Sequence, residues 1–185
     1  IFSIKNFRFK PRFLGWDYER RREGDFYEVT RVPEGPKVSI LVRTVARPAV
    51  LRECLISLRN QTYKNLDIVV VEDGPNKSEE LIKSEFSDLP VRYFYSGEKV
   101  GRCEVANIAM DKAEGEFLNF LDDDDLFYSD HVETLVSEYL KHPGKEVYYS
   151  LSFECLTEYK SLEPLKYKEH LLISFLKQKY NKFKL

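Results

Sequence analysis

Residues 117–125 read Phe117-Leu118-Asn119-Phe120-Leu121-Asp122-Asp123-Asp124-Asp125. The apolar run predicts a buried strand, and four carboxylates stand where it ends. So dense a negative charge is unfavourable until something positive arrives. A divalent cation with hard oxygen ligands is the natural partner. Two carboxylates in an Asp-x-Asp spacing at the carboxyl end of a strand suit such a cation, and the cation in turn suits a diphosphate.

Strands and helices alternate on both sides of this stretch. Upstream, VSILV (38–42) and LDIVVV (66–71) are β-rich apolar runs fit for buried strands, and VRYFY (91–95) predicts a third. Between them Pro48 suits the first turn of a helix whose face is Leu51, Cys54, Leu55 and Leu58. A polar helix near 77–86 follows, and Val105, Ile108, Ala109 and Ala113 mark another before Gly115. Downstream, Ser129 is placed to cap a helix with Val132, Leu135, Val136, Tyr139 and Leu140 on one face, and EVYYS (146–150) predicts a closing strand. The pattern is that of an α/β fold: a mostly parallel sheet with helices on both faces. Ligands of such sheets bind beyond the carboxyl ends of the strands. Thr44, Asp73 and the aspartates stand at three such ends.

The 185 residues suffice for one domain with a sizeable core, and 43% hydrophobic content suits a folded chain. The organisation expected is an aromatic, basic extension or linker over 1–36, the α/β domain over 37–150, and a Lys-rich tail over 151–185. In that tail Leu171, Leu172, Phe175, Leu176 and Tyr180 predict an amphipathic helix, docked on the domain or laid on a bilayer. Trp16 is read as a packing anchor for the extension. The formal net charge is −2, and the middle of the chain is its acidic part, which is a poor surface for nucleic acid. Three widely spaced cysteines match no zinc pattern, and Cys54 belongs to a helix's apolar face. The setting expected is cytoplasmic, with peripheral contact at the inner face of a membrane.

Three blocks in order, PKVSILVRT (36–44), LRECLISLRNQTYKNLDIVVVEDG (51–74) and AEGEFLNFLDDDD (113–125), resemble a family 2 glycosyltransferase of the GT-A, Rossmann-like fold. The resemblance implies an enzyme that transfers a sugar, with inversion, from a nucleotide-diphosphate sugar, UDP-linked first of all, to a saccharide or lipid-linked acceptor. It implies Mn²⁺ or Mg²⁺ on Asp122 and Asp124, with Asp123 in the variable middle position and turned the other way, and Asp125 near donor sugar or ribose. It places Asp73 on the base, Glu72 where an aspartate is usual, Thr44 in the loop lining base and ribose, and Arg102 and Asn107 beside the donor. All of Thr44, Glu72, Asp73, Arg102, Asn107, Asp123 and Asp125 are thus donor-site candidates.

The chain departs from the pattern in two places. The usual Pro-Thr-Tyr-Asn is Arg43-Thr44-Val45-Ala46, which carries no aromatic ring. After Ser150 the glutamates Glu154, Glu158, Glu163 and Glu169 lie outside the context of the family's acceptor-side blocks, so residues 151–185 read as a truncated acceptor region and no catalytic base is assigned. Two other readings stay open at this point. One is a non-catalytic nucleotide-sugar-binding fragment. The other is a phosphatase with an aspartate nucleophile, against which Leu126 stands where a hydroxyl residue belongs.

Overall fold

The computed structural model describes residues 7–12, 15–20, 34–150, 153–162 and 165–174. Its centre is a four-stranded parallel sheet. The strands are β3 (Val38–Thr44), β4 (Leu66–Glu72), β5 (Val91–Tyr95) and β6 (Phe117–Asp122), in the order β5-β4-β3-β6. Val42 pairs with Val70 on one side and Leu121 on the other, and the register carries Thr44 opposite Glu72 and Arg43 opposite Asp122. The carboxyl ends of three strands therefore meet at one edge.

Alternate side chains of these strands feed two cores, as a period of two requires. On one face Ile40, Val42, Ile68 and Val70 pack with α1 (Pro48–Arg59), α2 (Glu79–Glu85) and α4 (His131–Lys141). On the other, Leu41, Val69 and Val71 pack with Val105 and Ala109 of α3 (Arg102–Lys112). Helix α1 begins with Pro48 and buries Val50, Leu51, Cys54, Leu55 and Leu58. Each such aliphatic side chain stabilises by about 1.5–3 kcal/mol relative to an exposed one. Gln61 then ties α1 to α4: its amide donates to the Tyr128 carbonyl at 2.7 Å, and its oxygen accepts from Val132 N at 3.2 Å.

The structure corrects four expectations and adds detail to a fifth. The strand before the aspartates is not buried along its length. Leu118 and Phe120 are each 47% exposed, because β6 is an edge of the described sheet and α3 covers only its neighbours. Residues 146–150 form no strand. Val147 and Tyr149 are exposed, and Tyr148 instead folds back on α4, donating to the His142 carbonyl at 2.6 Å. The N-cap of α4 is Asp130, not Ser129, and Leu140 is half-exposed. Part of the expected extension pairs as a hairpin, β1 (Phe7–Arg12) with β2 (Gly15–Arg20). Finally, Leu171 and Leu172 lie on a strand, β8 (Leu165–Ser174), paired antiparallel with β7 (Phe153–Leu162). Phe175, Leu176, Tyr180 and the packing of the Trp16 side chain lie outside the described residues. Among the described residues no helix is long and apolar enough to cross a membrane.

At the amino end of the sheet, Asp67 is buried and accepts from Ser39 Oγ at 2.6 Å, Arg92 Nε at 2.8 Å and Glu114 N at 3.0 Å. Burial alone would raise its pKa, but the bonds from Ser39, Glu114 and Arg92 outweigh it and hold the carboxyl low. Gly115 sits against this network. A Cβ there would lie 2.5 Å from Ser39 N and 2.8 Å from the Lys37 carbonyl, both backbone atoms that have no room to yield. Gly115→Ala is expected to destabilise the fold by about 2–4 kcal/mol. Chemical denaturation measures this, and an unchanged midpoint would contradict the close approach.

Candidate functional site

The edge where β3, β4 and β6 end carries most of the sequence-predicted site residues. Asp125 N donates to the Asp122 carbonyl at 3.0 Å, closing a turn directly after β6. That turn divides the four aspartates. Asp122, Asp124 and Asp125 converge, with one carboxylate oxygen of each within 4.8 Å of the others and open to solvent. Asp123 points the opposite way and is 2% exposed. It accepts from Thr44 Oγ1 at 2.6 Å and from Arg47 through Nε, at 3.2 Å, and Nη2. Thr44 and Asp123 are thus bound to each other behind the open face, so they brace the aspartate turn rather than line it.

The electrostatics follow from this division. Burial is the main cause that raises the pKa of Asp123, offset by Thr44 and Arg47. Partial burial also raises Asp125, and the neighbouring charges of Asp124, Asp122 and Asp123 push it further the same way. Three converging carboxylates with one proton affinity raised make a set that gains from a divalent cation. Their hard oxygen donors fit Mg²⁺ or Mn²⁺ and offer nothing to a soft metal.

Two residues that sequence reasoning did not place in the site stand at its centre. Arg43 donates to Asp122 Oδ1 through Nε at 3.0 Å and through Nη2. Arg47 spans Asp123 and Asp124, reaching the latter through Nη1 at 3.3 Å. Arg47 is the N-cap residue of α1, and its side chain makes no cap bond there. The available signal was a cation at position 43, where the resembling pattern has proline.

The other candidates separate into supports and exposed positions. Glu72 is fully buried. Its Oε1 accepts from Ala46 N at 3.0 Å, and its Oε2 accepts from Lys77 N at 2.9 Å, Ser78 N at 3.1 Å and the Tyr93 hydroxyl. It therefore fixes the two loops that flank the edge rather than facing a ligand. Burial and this carboxylate together raise the Tyr93 pKa. Ala46 has φ +45, a left-handed conformation that Asn adopts more readily than Ala. The resembling pattern carries Asn at this position, and here the bond that its amide donates to Glu72 holds Ala46 in place. Asp73 accepts from Val100 N at 2.7 Å and Gly101 N at 3.2 Å, so it anchors the loop that leads into α3. Arg102 and Asn107 are exposed on α3, and among the described residues no hydrogen bond or ion pair ties either to the aspartates. His131 faces Asn119 at 3.2 Å, and burial brings its pKa down to about 4.

Comparison with known proteins gives a consistent picture. Residues 39–182 match the model of glycosyl transferase family 2. The chain is 35% identical over 107 residues to glycosyltransferase GlyA of Streptococcus pneumoniae, covering 57% of this chain and 15% of that protein. It is 32% identical over 126 residues to the GalNAc(5)-diNAcBac-PP-undecaprenol beta-1,3-glucosyltransferase of Campylobacter jejuni, covering 66% of this chain and 39% of that one. Among solved structures, S. aureus TarS 1-349 in complex with UDP-GlcNAc is similar at TM-score 0.54 and 24% identity, covering 64% of this chain and 39% of that chain. The mannosyltransferase PcManGT of Pyrobaculum calidifontis, in complex with GDP-Man and Mn²⁺, is similar at TM-score 0.53 and 19% identity, covering 71% and 39%. These two structures share the fold. The chain spans well under half the length of these relatives.

Proposed function

The chain belongs to glycosyl transferase family 2, and from that premise we propose that it binds a nucleoside-diphosphate sugar, UDP-linked first of all, at the carboxyl edge of its parallel sheet. The reaction served is transfer of the sugar, with inversion, to an acceptor hydroxyl. The observation that carries this reading is the convergence of Asp122, Asp124 and Asp125 at that edge. Structural relatives in complex with UDP-GlcNAc and with GDP-Man and Mn²⁺ support it. The Campylobacter relative, named for an undecaprenol-linked acceptor, supports a lipid-linked glycan on the acceptor side. On that reading the work is done at the cytoplasmic face of a membrane.

The chain's own residues account for the donor side. Asp124 and Asp125, with Asp122 beside them, would hold the cation. When bound, a divalent ion supplies Lewis-acid stabilisation of the charge that develops on the leaving nucleoside diphosphate. Asp123, Thr44 and Arg47 keep the aspartate turn in one arrangement, so that the three carboxylates do not have to be gathered when the donor arrives. Glu72 and Asp73 fix the loops after β3, β4 and β5, which shape the edge on which base and ribose would rest. Asp124 removes no proton and forms no covalent bond in this scheme.

Calorimetry of the chain with UDP, GDP and dTDP, each with Mn²⁺ and with chelator, tests the reading. At least one nucleotide is expected to bind about tenfold or more tightly with the ion. This gain is expected to shrink on acidification, because a proton on any ligand carboxylate competes with the cation. Asp125 keeps its proton to higher pH than an ordinary aspartate, so the loss begins at higher pH than it would with an ordinary aspartate in that place. Equal affinity with and without metal for every nucleotide would refute the proposal.

A further inference from the structure

Arg43 is a cation placed against the aspartate turn at a position where the resembling blocks carry proline. The register sets it opposite Asp122, and both of its bonds fall on one oxygen, Oδ1. Arg47 adds a second guanidinium on Asp123 and Asp124. The four carboxylates therefore face two positive charges before any metal ion arrives. A guanidinium cannot shed its proton to make room. A divalent ion approaching Asp122, Asp124 and Asp125 is drawn by the carboxylates and repelled by Arg43 at the same time.

We propose that Arg43 tunes the cation site: by pairing with Asp122 it lowers the turn's affinity for a free divalent ion, and so makes ion binding depend on the diphosphate. The diphosphate brings negative charge of its own, which offsets the guanidinium and restores the attraction. Nucleotide and ion then enter together, and the metal-only state is sparsely populated. Arg43 acts through Asp122 and is a positioning residue. This inference rests on the donor-site reading above.

The test is a Mn²⁺ titration followed by the loss of the free-ion paramagnetic resonance signal, with and without UDP. It uses the wild-type chain, Arg43→Ala, Arg43→Gln, Arg43→Lys and Asp124→Asn. Repulsion between a single and a double charge a few ångströms apart is worth about a factor of ten even in water-like dielectric. Arg43→Ala and Arg43→Gln are therefore expected to take Mn²⁺ alone about tenfold more tightly than wild type. The factor by which UDP tightens Mn²⁺ is expected to shrink by a similar amount. Arg43→Lys, which keeps the charge, stays near wild type. A merely structural ion pair would lower the melting temperature of the neutral variants and leave Mn²⁺ affinity where it was.

The inference is overturned if Arg43→Ala and Arg43→Gln bind Mn²⁺ no more tightly than wild type, or if Arg43→Lys shifts as far as they do. If that happens while Asp124→Asn still abolishes ion binding, the donor-site reading survives and only the tuning role is lost. If Asp124→Asn binds Mn²⁺ and UDP as wild type does, the donor-site reading fails and the tuning role fails with it.

Discussion

Asp124→Asn is expected to abolish metal-dependent nucleotide binding while leaving the fold intact. Asp124 is half-exposed, and its bond to Arg47 Nη1 is long, at 3.3 Å. Its removal leaves Arg47 with two bonds to Asp123, so the buried part of the pair survives. The change also removes the first of the like charges that act on Asp125. Loss of a neighbour that only orients a metal ligand typically costs 10–100-fold in affinity, so loss of a ligand itself should cost about 100-fold or more. Calorimetry with UDP and Mn²⁺ reads the affinity, and a thermal melt should move by no more than about 2 °C. Asp123→Asn is the control with the opposite profile. It sits in a buried contact with Thr44 and Arg47, so it should lower the melt and affect ion binding much less. Metal-dependent binding that persists in Asp124→Asn, or that is lost chiefly in Asp123→Asn, would show the assignment across the four aspartates to be wrong.

Glu72→Ala is expected to have the largest effect on stability. Glu72 is fully buried and serves four donors: the backbone amides of Ala46, Lys77 and Ser78 and the hydroxyl of Tyr93. Alanine leaves all four without their acceptor, and it leaves Ala46 in a left-handed conformation with nothing to hold it. Each unsatisfied buried donor costs about 1–3 kcal/mol, and partial relaxation brings the total to about 3–5 kcal/mol. In a chain of this size that corresponds to a melting temperature lower by about 10 °C or more. Both flanking loops depend on the same carboxylate, so nucleotide affinity should fall together with stability. Glu72→Gln keeps the shape and one acceptor oxygen but turns an NH₂ toward donors, and should lie between. A Glu72→Ala protein that melts with wild type would show that the loops hold themselves.

Pattern reading succeeded where the pattern had a single physical meaning. VSILV and LDIVVV are apolar at every position but Ser39 and Asp67, which bond each other, because both faces of β3 and β4 are covered, and only a central parallel strand needs that. It failed where a propensity needed a partner that the local sequence does not supply. EVYYS has the composition of a strand, yet a strand also requires a ladder. Tyr148 is held instead by Tyr139 at 5.8 Å between ring centroids and by the His142 carbonyl. Leu171 and Leu172 suited a helical stripe equally well, and pairing with Leu156 and Cys155 decided for β8. FLNFL reads as buried, but its burial depends on what covers an edge strand, which is a property of the whole sheet.

The sequence by itself determined the family, the alternation of strands and helices, and the place where the chemistry gathers, because strand period, glycine position and an acidic run after an apolar one are local signals. Even the inward turn of Asp123 was readable, since the resemblance puts it in the variable middle position of the Asp-x-Asp. Tertiary structure alone decided which candidates face the open edge and which brace it. Glu72, Asp73, Thr44 and Asp123 are all acceptors or donors at strand ends, and nothing local separates a ligand-facing oxygen from one taken by a backbone amide across the sheet. Register brought Arg43 to Asp122, 79 residues away. That charge pair exists only once β3 and β6 lie side by side.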